Sequence, residues 1–404
     1  MINRRTFIQK SAISAAGALL IPEILKAENI NAPLRRSSGN NRKLVVIQLS
    51  GGNDGLNMIV PYTNPLYYKA RPTIAIPAKE VLKASNMQGF NPVMTEFKEL
   101  FDTNKLSIIN GAGYPNPNRS HFRSMDIWQS ASDSDKYVST GWIGRYISSL
   151  PDERRKSHSA IEVNAELDLA LKGEGISGMA LQNPDFLYNS LRRGIFRPLA
   201  KMERSNTDNP GLNYIRRVMG ETVSSVDYLH DTIQNTGDAK SKKHQAGKLS
   251  NNLSLIAGMI SSGLSTEIYY TSLTGFDTHV NQKPQQDKLL KELSQGVGGF
   301  VKELEQTGLM DDVLIMVFSE FGRRVAQNAS GGTDHGCASN VLLVGNNLKK
   351  PGIYNDPPNL YDLDKGDLKF TVDFRSVYAT IINKHLNGDA DKILGKTFQK
   401  QKFI

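Results

Sequence analysis

The sequence predicts an α/β fold, a three-layer sandwich with a mostly parallel central sheet between helices, and three observations carry that expectation. Short apolar, β-branched runs recur along the chain, each bounded by Gly, Asn or Asp clusters. Their near-continuous apolarity marks strands buried on both faces, as in a parallel sheet. Stripes of apolar residues at helical spacing lie between them, an alternation that covers a sheet on both sides. The 404 residues are 39% hydrophobic and 22% charged, an ordinary globular composition that excludes a collagen, a coiled coil or a disordered tail. Cys337 is the one cysteine, so no intramolecular disulfide forms and stability must come from a core, which this length can supply.

The first element is an address. Arg4-Arg5-Thr6-Phe7-Ile8-Gln9-Lys10 leads into an apolar run from Ser11 to Ile21, giving residues 1–27 the layout of a signal peptide of twin-arginine type. Uncleaved, the same segment would serve as a membrane tether. Residues 28–43 are Asn-, Arg- and Ser-rich without hydrophobic period and read as a linker, which leaves 44–404 as the folded domain. Residues 1–43 hold eight Lys or Arg and two acids, so they carry +6 of the formal +9. The remaining +3 is too weak to argue for nucleic acid.

Strands are expected at Leu44–Leu49, Leu106–Ile109, Ile268–Thr271, Val313–Phe318 and Val341–Val344. Leu249, Leu253, Ile256, Met259 and Ile260 form one helical stripe. Leu289, Leu293, Phe300 and Leu304 form a second, running from Pro284 to Gly308, and Val372–Leu386 gives a third. The polar stretch at about 150–245, with Lys240, Lys242 and Lys243, reads as a mostly helical insertion with a solvated charge run.

Ligands of an open α/β sheet bind beyond the carboxyl ends of its strands, so the residues just after each strand matter most. The first strand runs into Ser50-Gly51-Gly52-Asn53-Asp54-Gly55, and the second into a Pro/Gly loop ending Arg119-Ser120-His121-Phe122-Arg123. Later strands lead to Gly275-Phe276-Asp277-Thr278-His279, to Ser319-Glu320-Phe321-Gly322-Arg323 and then to Gly332-Thr333-Asp334-His335-Gly336. Carboxylates and imidazoles gathered in this way bind divalent cations, and mixed oxygen and nitrogen donors suit Zn or Mn better than Ca. Two such ions about 3.5–4 Å apart clamp the attacking and leaving oxygens of an in-line displacement. Ser120 would be the nucleophile, activated by metal, and Arg119 or Arg123 would hold an anionic ester through bidentate hydrogen bonds. Each motif also has a plainer reading: a turn at Asn53-Asp54, a helix cap at Ser120, ion pairs at Asp277 and Glu320. His121 reads as an ordinary exposed residue and Cys337 as packing, while His158, His230, His244 and His385 read as surface or helix residues.

As a set, the Arg-Arg leader, Leu-Ser-Gly-Gly-Asn-Asp-Gly-Leu-Asn, Arg-Ser-His-Phe, Gly-Phe-Asp-Thr-His, Ser-Glu-Phe-Gly-Arg and Gly-Thr-Asp-His-Gly resemble the DUF1501 family of exported bacterial proteins. That family is in turn similar to the alkaline phosphatase and sulfatase superfamily, which implies a three-layer fold with two metals at the strand ends. Carried over by position, the resemblance implies Asp54 or Asn53 as the first-strand ligand and Ser120 as nucleophile. Asp277 and His279 become the central pair, Glu320 the next ligand and His335 the last. The chain departs from the superfamily at Glu320-Phe321, where an Asp-His pair is usual, and at the short Asp277-x-His279 spacing. Ser120-His121-Phe122-Arg123 does not match the Cys/Ser-x-Pro-x-Arg motif of formylglycine sulfatases.

The expectation is thus an exported, periplasmic or envelope hydrolase of phosphate or sulfate esters. The alternative is a degenerate, non-catalytic member that binds an envelope partner protein.

Overall fold

Leu44, Val46, Val45, Ile47 and Leu49 are all buried, and alternation sends the first two to one face of the sheet and the other three to the opposite face. Strand β1 (Lys43–Ser50) is therefore central and apolar on both sides. The computed structural model describes residues 41–192, 210–236 and 247–404. The leader, the linker before residue 41, the 240–243 lysines and His244 lie outside the described residues. Residue Lys43, read as the end of the linker, is the first residue of β1.

The main sheet adds β2 (Leu106–Gly113), β3 (Ala160–Glu162), β4 (Met179–Ala180), β5 (Ile268–Thr274), β6 (Val313–Ser319), β7 (Ser339–Val344), β8 (Gly352–Ile353) and β9 (Val372–Asp373). Its order is β8-β2-β7-β6-β1-β5-β3-β4, with β9 also paired to β2. All pairings are parallel except those of β7, which runs antiparallel to both β2 and β6. The longer helices are α1 (Thr95–Asp102), α2 (His121–Ser130), α3 (Trp142–Ser149), α4 (Pro184–Arg192), α5 (Pro210–Thr236), α6 (Lys248–Ser261), α7 (Gln282–Gln306) and α8 (Phe374–Thr380).

Leu253 of α6 and Leu293, Val297 and Phe300 of α7 pack with Val45, Ile47 and Leu49. Trp128 of α2, Tyr146 of α3 and Tyr378 of α8 pack with Leu44 and Val46 on the other face. The result is the three-layer α/β/α arrangement with a mostly parallel sheet. Among the described residues, no helix is long and apolar enough to cross a membrane.

Two expectations need correction. The 150–245 stretch is not simply a helical insertion, because β3 extends the sheet beside β5 and β4 follows it. These strands of three and two residues are too short to show as an apolar run. The stripe from Val372 opens as strand β9, since Asp373 stays extended and its carboxylate accepts from Arg375 N, starting the helix one residue later.

Glu162, at the end of β3, is fully buried and accepts from Asp168 N at 2.8 Å. Burial, with the Asp168 carboxylate beside it, pushes its carboxyl up to about 9 from an ordinary 4.5. Between those values the folded chain holds a proton that the unfolded chain has released, so stability falls as pH rises. Chemical denaturation at pH 5 and pH 8 should show that fall in the native protein and a clearly smaller one in Glu162→Gln.

Candidate metal centre

The parallel strands β1, β5 and β6 deliver the loops after Ser50, Thr274 and Ser319 to one edge of the sheet. Because β7 runs the other way, its start lies at that same edge, which brings His335 there from the segment preceding it. Close approach of the loops depends on Gly51 and Gly52. A Cβ on Gly51, at φ +116°, would lie 2.4 Å from Asp277 N, and one on Gly52, at φ +72°, would lie 2.1 Å from the Phe321 ring. Buried Arg323 ties the loops together. Its Nε donates to Gly52 O at 2.6 Å and its Nη1 to Thr333 O at 2.8 Å. Its Nη2 donates to Gly51 O, to Phe276 O at 3.0 Å and to Asp277 Oδ1 at 2.7 Å.

Around Asp277 Oδ1 stand three imidazole nitrogens: His279 Nε2 at 3.0 Å, His335 Nε2 at 3.2 Å and His121 Nε2 at 3.3 Å. One potential ligand atom from each of His121, Asp277 and His335 lies within 4.8 Å of the others. His279 Nε2 is also 2.9 Å from His335 Nε2. Tautomers follow from the other ring nitrogens. His121 Nδ1 faces Glu320 Oε1 at 2.9 Å, and His335 Nδ1 faces the carbonyl of Arg119 at 2.7 Å. Both partners only accept, so each Nδ1 carries the hydrogen and each neutral ring turns a lone pair inward. His279 Nδ1 lies 3.4 Å from Asp334 Oδ1, the same orientation.

Acceptors crowded against a carboxylate repel one another unless a cation stands among them. His121 Nε2 is buried and makes no hydrogen bond. Without metal, a proton meets that need: the Glu320 hydrogen bond, opposed by burial and helped by the Glu320 and Asp277 charges, raises the His121 pKa. Burial works against the Asp277 charge, but the hydrogen bond and charge of buried Arg323 outweigh it and hold the carboxyl well below the usual range. The donor set fits a divalent ion, with Glu320 as the carboxylate behind a ligating histidine.

The other site residues expected from sequence lie as follows. Glu320 is fully buried and accepts from Gly51 N at 2.8 Å as well as facing His121, so it orients a donor from behind. Asp54 is buried against Arg71, which donates to its Oδ2 at 2.6 Å and its Oδ1 at 3.0 Å. It also caps the short helix Gly55–Met58 and accepts from Gln282 Nε2, so its oxygens are occupied away from the cluster. Asn53 is buried and accepts from Gln286 Nε2 at 3.2 Å. Ser120 is exposed at the start of α2, and its hydroxyl makes no capping bond. Arg119 is partly exposed and paired with buried Asp367. Arg123 donates from Nη2 to the carbonyls of Asp133, Ser134 and Lys136, with Tyr137 stacked on it at 4.0 Å, while its buried Nε makes no hydrogen bond.

His121 corrects the sequence reading: it is part of the cluster and not an ordinary exposed residue. Its ring lies 4.8 Å from that of Phe321, against the position where the sequence lacks an imidazole. Cys337 is half-buried and donates to Asp367 Oδ2 at 3.3 Å. His385 is buried with Nε2 2.9 Å from Lys43 O, and His158 lies 3.0 Å from Ser225 Oγ, both outside the centre.

Fold and cluster together define a three-layer α/β/α protein with a histidine- and aspartate-lined site at the carboxyl edge of its sheet. The chain belongs to the DUF1501 family, a "Protein of unknown function" family whose model matches residues 104–400. No curated protein matches the sequence. Among solved structures it is similar to the C-terminal periplasmic domain of EcEptC from Escherichia coli in complex with Zn. There the identity is 10%, the match covers 77% of this chain and 74% of that one, and the TM-score is 0.34. It is similar to the lipoteichoic acid synthase LtaP from Listeria monocytogenes at 9% identity, covering 98% of this chain and 79% of that one, with a TM-score of 0.36. A protein of the alkaline phosphatase superfamily from Vibrio parahaemolyticus matches at 10% identity, covering 80% of this chain and 64% of that one, with a TM-score of 0.32. Likeness at this level gives no residue of this chain a role.

Glu320 offers a direct check on the centre. Replacing it with Gln keeps the side-chain shape and removes the charge behind His121, so zinc affinity measured by competition with a chelator should fall by about 10–100-fold.

Proposed function

We propose that this chain is an exported metal-dependent hydrolase of phosphate or sulfate esters. His121, His335 and Asp277 would hold one divalent ion, Zn or Mn, with His279 as a further donor at the rim. The observation that carries this reading is the inward convergence of imidazole lone pairs on Asp277 Oδ1, with His121 Nε2 buried and unbonded. The occupied oxygens of Asp54 favour one ion over two. The Arg4-Arg5 leader supports export.

A bound ion would supply Lewis acidity toward an ester oxygen and lower the pKa of a hydroxyl that reaches it. The chain's own residues do the rest. Glu320 and the Arg119 carbonyl fix the tautomers of His121 and His335, and Arg323 keeps Asp277 ionised. Ser120, exposed, uncapped and next to a ligand, is the nucleophile in this reading. Arg119, anchored by Asp367 and partly exposed, meets the anionic ester. The non-catalytic alternative rests on Phe321 standing where the superfamily has an imidazole. His121, packed on that ring, provides an imidazole there and favours the enzyme.

The test is turnover of phosphomonoesters, phosphodiesters and sulfate esters by the purified chain supplied with Zn or Mn. Hydrolysis of at least one class should be abolished by Asp277→Ala and lowered in kcat by about a hundredfold or more by Ser120→Ala. No turnover of any class would overturn the hydrolase reading, and a rate indifferent to Ser120→Ala would remove the serine from it.

A further inference from the structure

A cleft of about 560 Å³ is lined among others by Tyr114, Arg119, Cys337, Lys365, Leu368 and Phe370. Its size falls within the range of small-molecule sites, about 300–1,000 Å³. Two of its lining segments run on into the centre. Arg119 lines the cleft while its carbonyl holds His335, and Cys337 lines it two residues beyond His335.

The far wall is a hairpin, Leu363–Asp364 paired with Asp367–Leu368. Its two turn residues, Lys365 at φ 52° and Gly366 at φ 90°, are both left-handed. A two-residue hairpin turn of this kind prefers Asn or Asp followed by Gly, so Lys365 occupies a conformation that a lysine rarely adopts. The charges around it are mostly matched. Asp367 is buried and pairs with Arg119, while Lys369 pairs with Asp362. Asp364, next to Lys365 on the hairpin, also lines the cleft. Among the described residues, exposed Lys365 makes no ion pair or side-chain hydrogen bond, and it is held at an unfavourable φ on the cleft wall. Tyr114, Leu368 and Phe370 give the same cleft apolar lining.

Resting on the hydrolase reading above, we propose that this cleft takes the organic part of the ester and that Lys365 reads a second negative charge on it. The substrate class is then an ester whose leaving group is apolar or aromatic and carries its own anionic group. Asp367 has a double part: it closes the hairpin opposite Asp364 and anchors Arg119 between cleft and centre.

The experiment compares phenylphosphonate with 4-phosphonobenzoate, a pair differing by one carboxylate, through their binding to the zinc-loaded full chain by titration calorimetry. The native protein should bind the carboxylate-bearing compound about tenfold more tightly. Lys365→Glu and Lys365→Asn should both bring the two affinities within about twofold, the latter with a residue that suits the turn. Equal affinities in the native protein, no binding of either compound, or a preference that survives both substitutions would overturn the proposal. Because the phosphonates are not hydrolysed, this result stands apart from turnover: a chain that hydrolyses esters without this preference would keep the hydrolase reading and lose the cleft assignment.

Discussion

Arg323 is a buried guanidinium that donates to four backbone carbonyls and one carboxylate, and those partners belong to the loops that make the site. A buried charge of this size costs several kcal/mol to desolvate unless its donors are all met. Here the carbonyls of Gly51, Gly52, Phe276 and Thr333 meet them, so the cation is stabilised only when the ends of β1 and β5 and the 333 loop are assembled. The same group fixes Asp277, the oxygen around which the imidazoles gather. Folding of the strand-end loops and assembly of the histidine and aspartate cluster are therefore one event at Arg323.

A second constraint is strand direction. Had β7 run parallel to its neighbours, His335 would start at the opposite edge of the sheet. Reversal of this single strand places the residues before it beside the loop after β6, where Gly336 N bonds Gly322 O at 2.8 Å and Arg324 N bonds Asp334 O at 3.0 Å. That short ladder clamps His335 against the cluster. Arg71 and Asp54 do comparable work one layer back: their buried pair, with Arg71 also donating to Val325 O and Arg324 O, holds the β1 loop to the segment after Arg323. Asp54 shapes the site without standing in it.

The apolar runs made the five principal strands legible, because a strand buried on both faces must be apolar throughout. Asp277, His279 and His335 also stood out by their places after strands, and the fold brings the three side chains together. Direction was not: Val341–Val344 reads the same in either sense, and only its pairing with β2 and β6 shows the reversal. His121 escaped because it begins a helix beside a serine, where an exposed side chain is the commoner outcome. The missing imidazole at Phe321 was the available signal, since a depleted ligand set invites a donor from a neighbouring loop. Asp54 was misplaced for a different reason. Its partner Arg71 lies in an aperiodic loop and Gln282 is distant in sequence, and neither carries a pattern that announces a buried pair.

In the proposed reading, the inward-facing imidazoles and Asp277 are there to hold a divalent ion. Elemental analysis of the folded, full-length chain after metal loading and gel filtration tests it most directly. The native chain should carry about one Zn or Mn, falling to background in both Asp277→Ala and His121→Ala while each variant stays folded by circular dichroism. Native protein that retains no metal, or retains it unchanged when His121 is removed, would rule out a metal-holding role for the cluster.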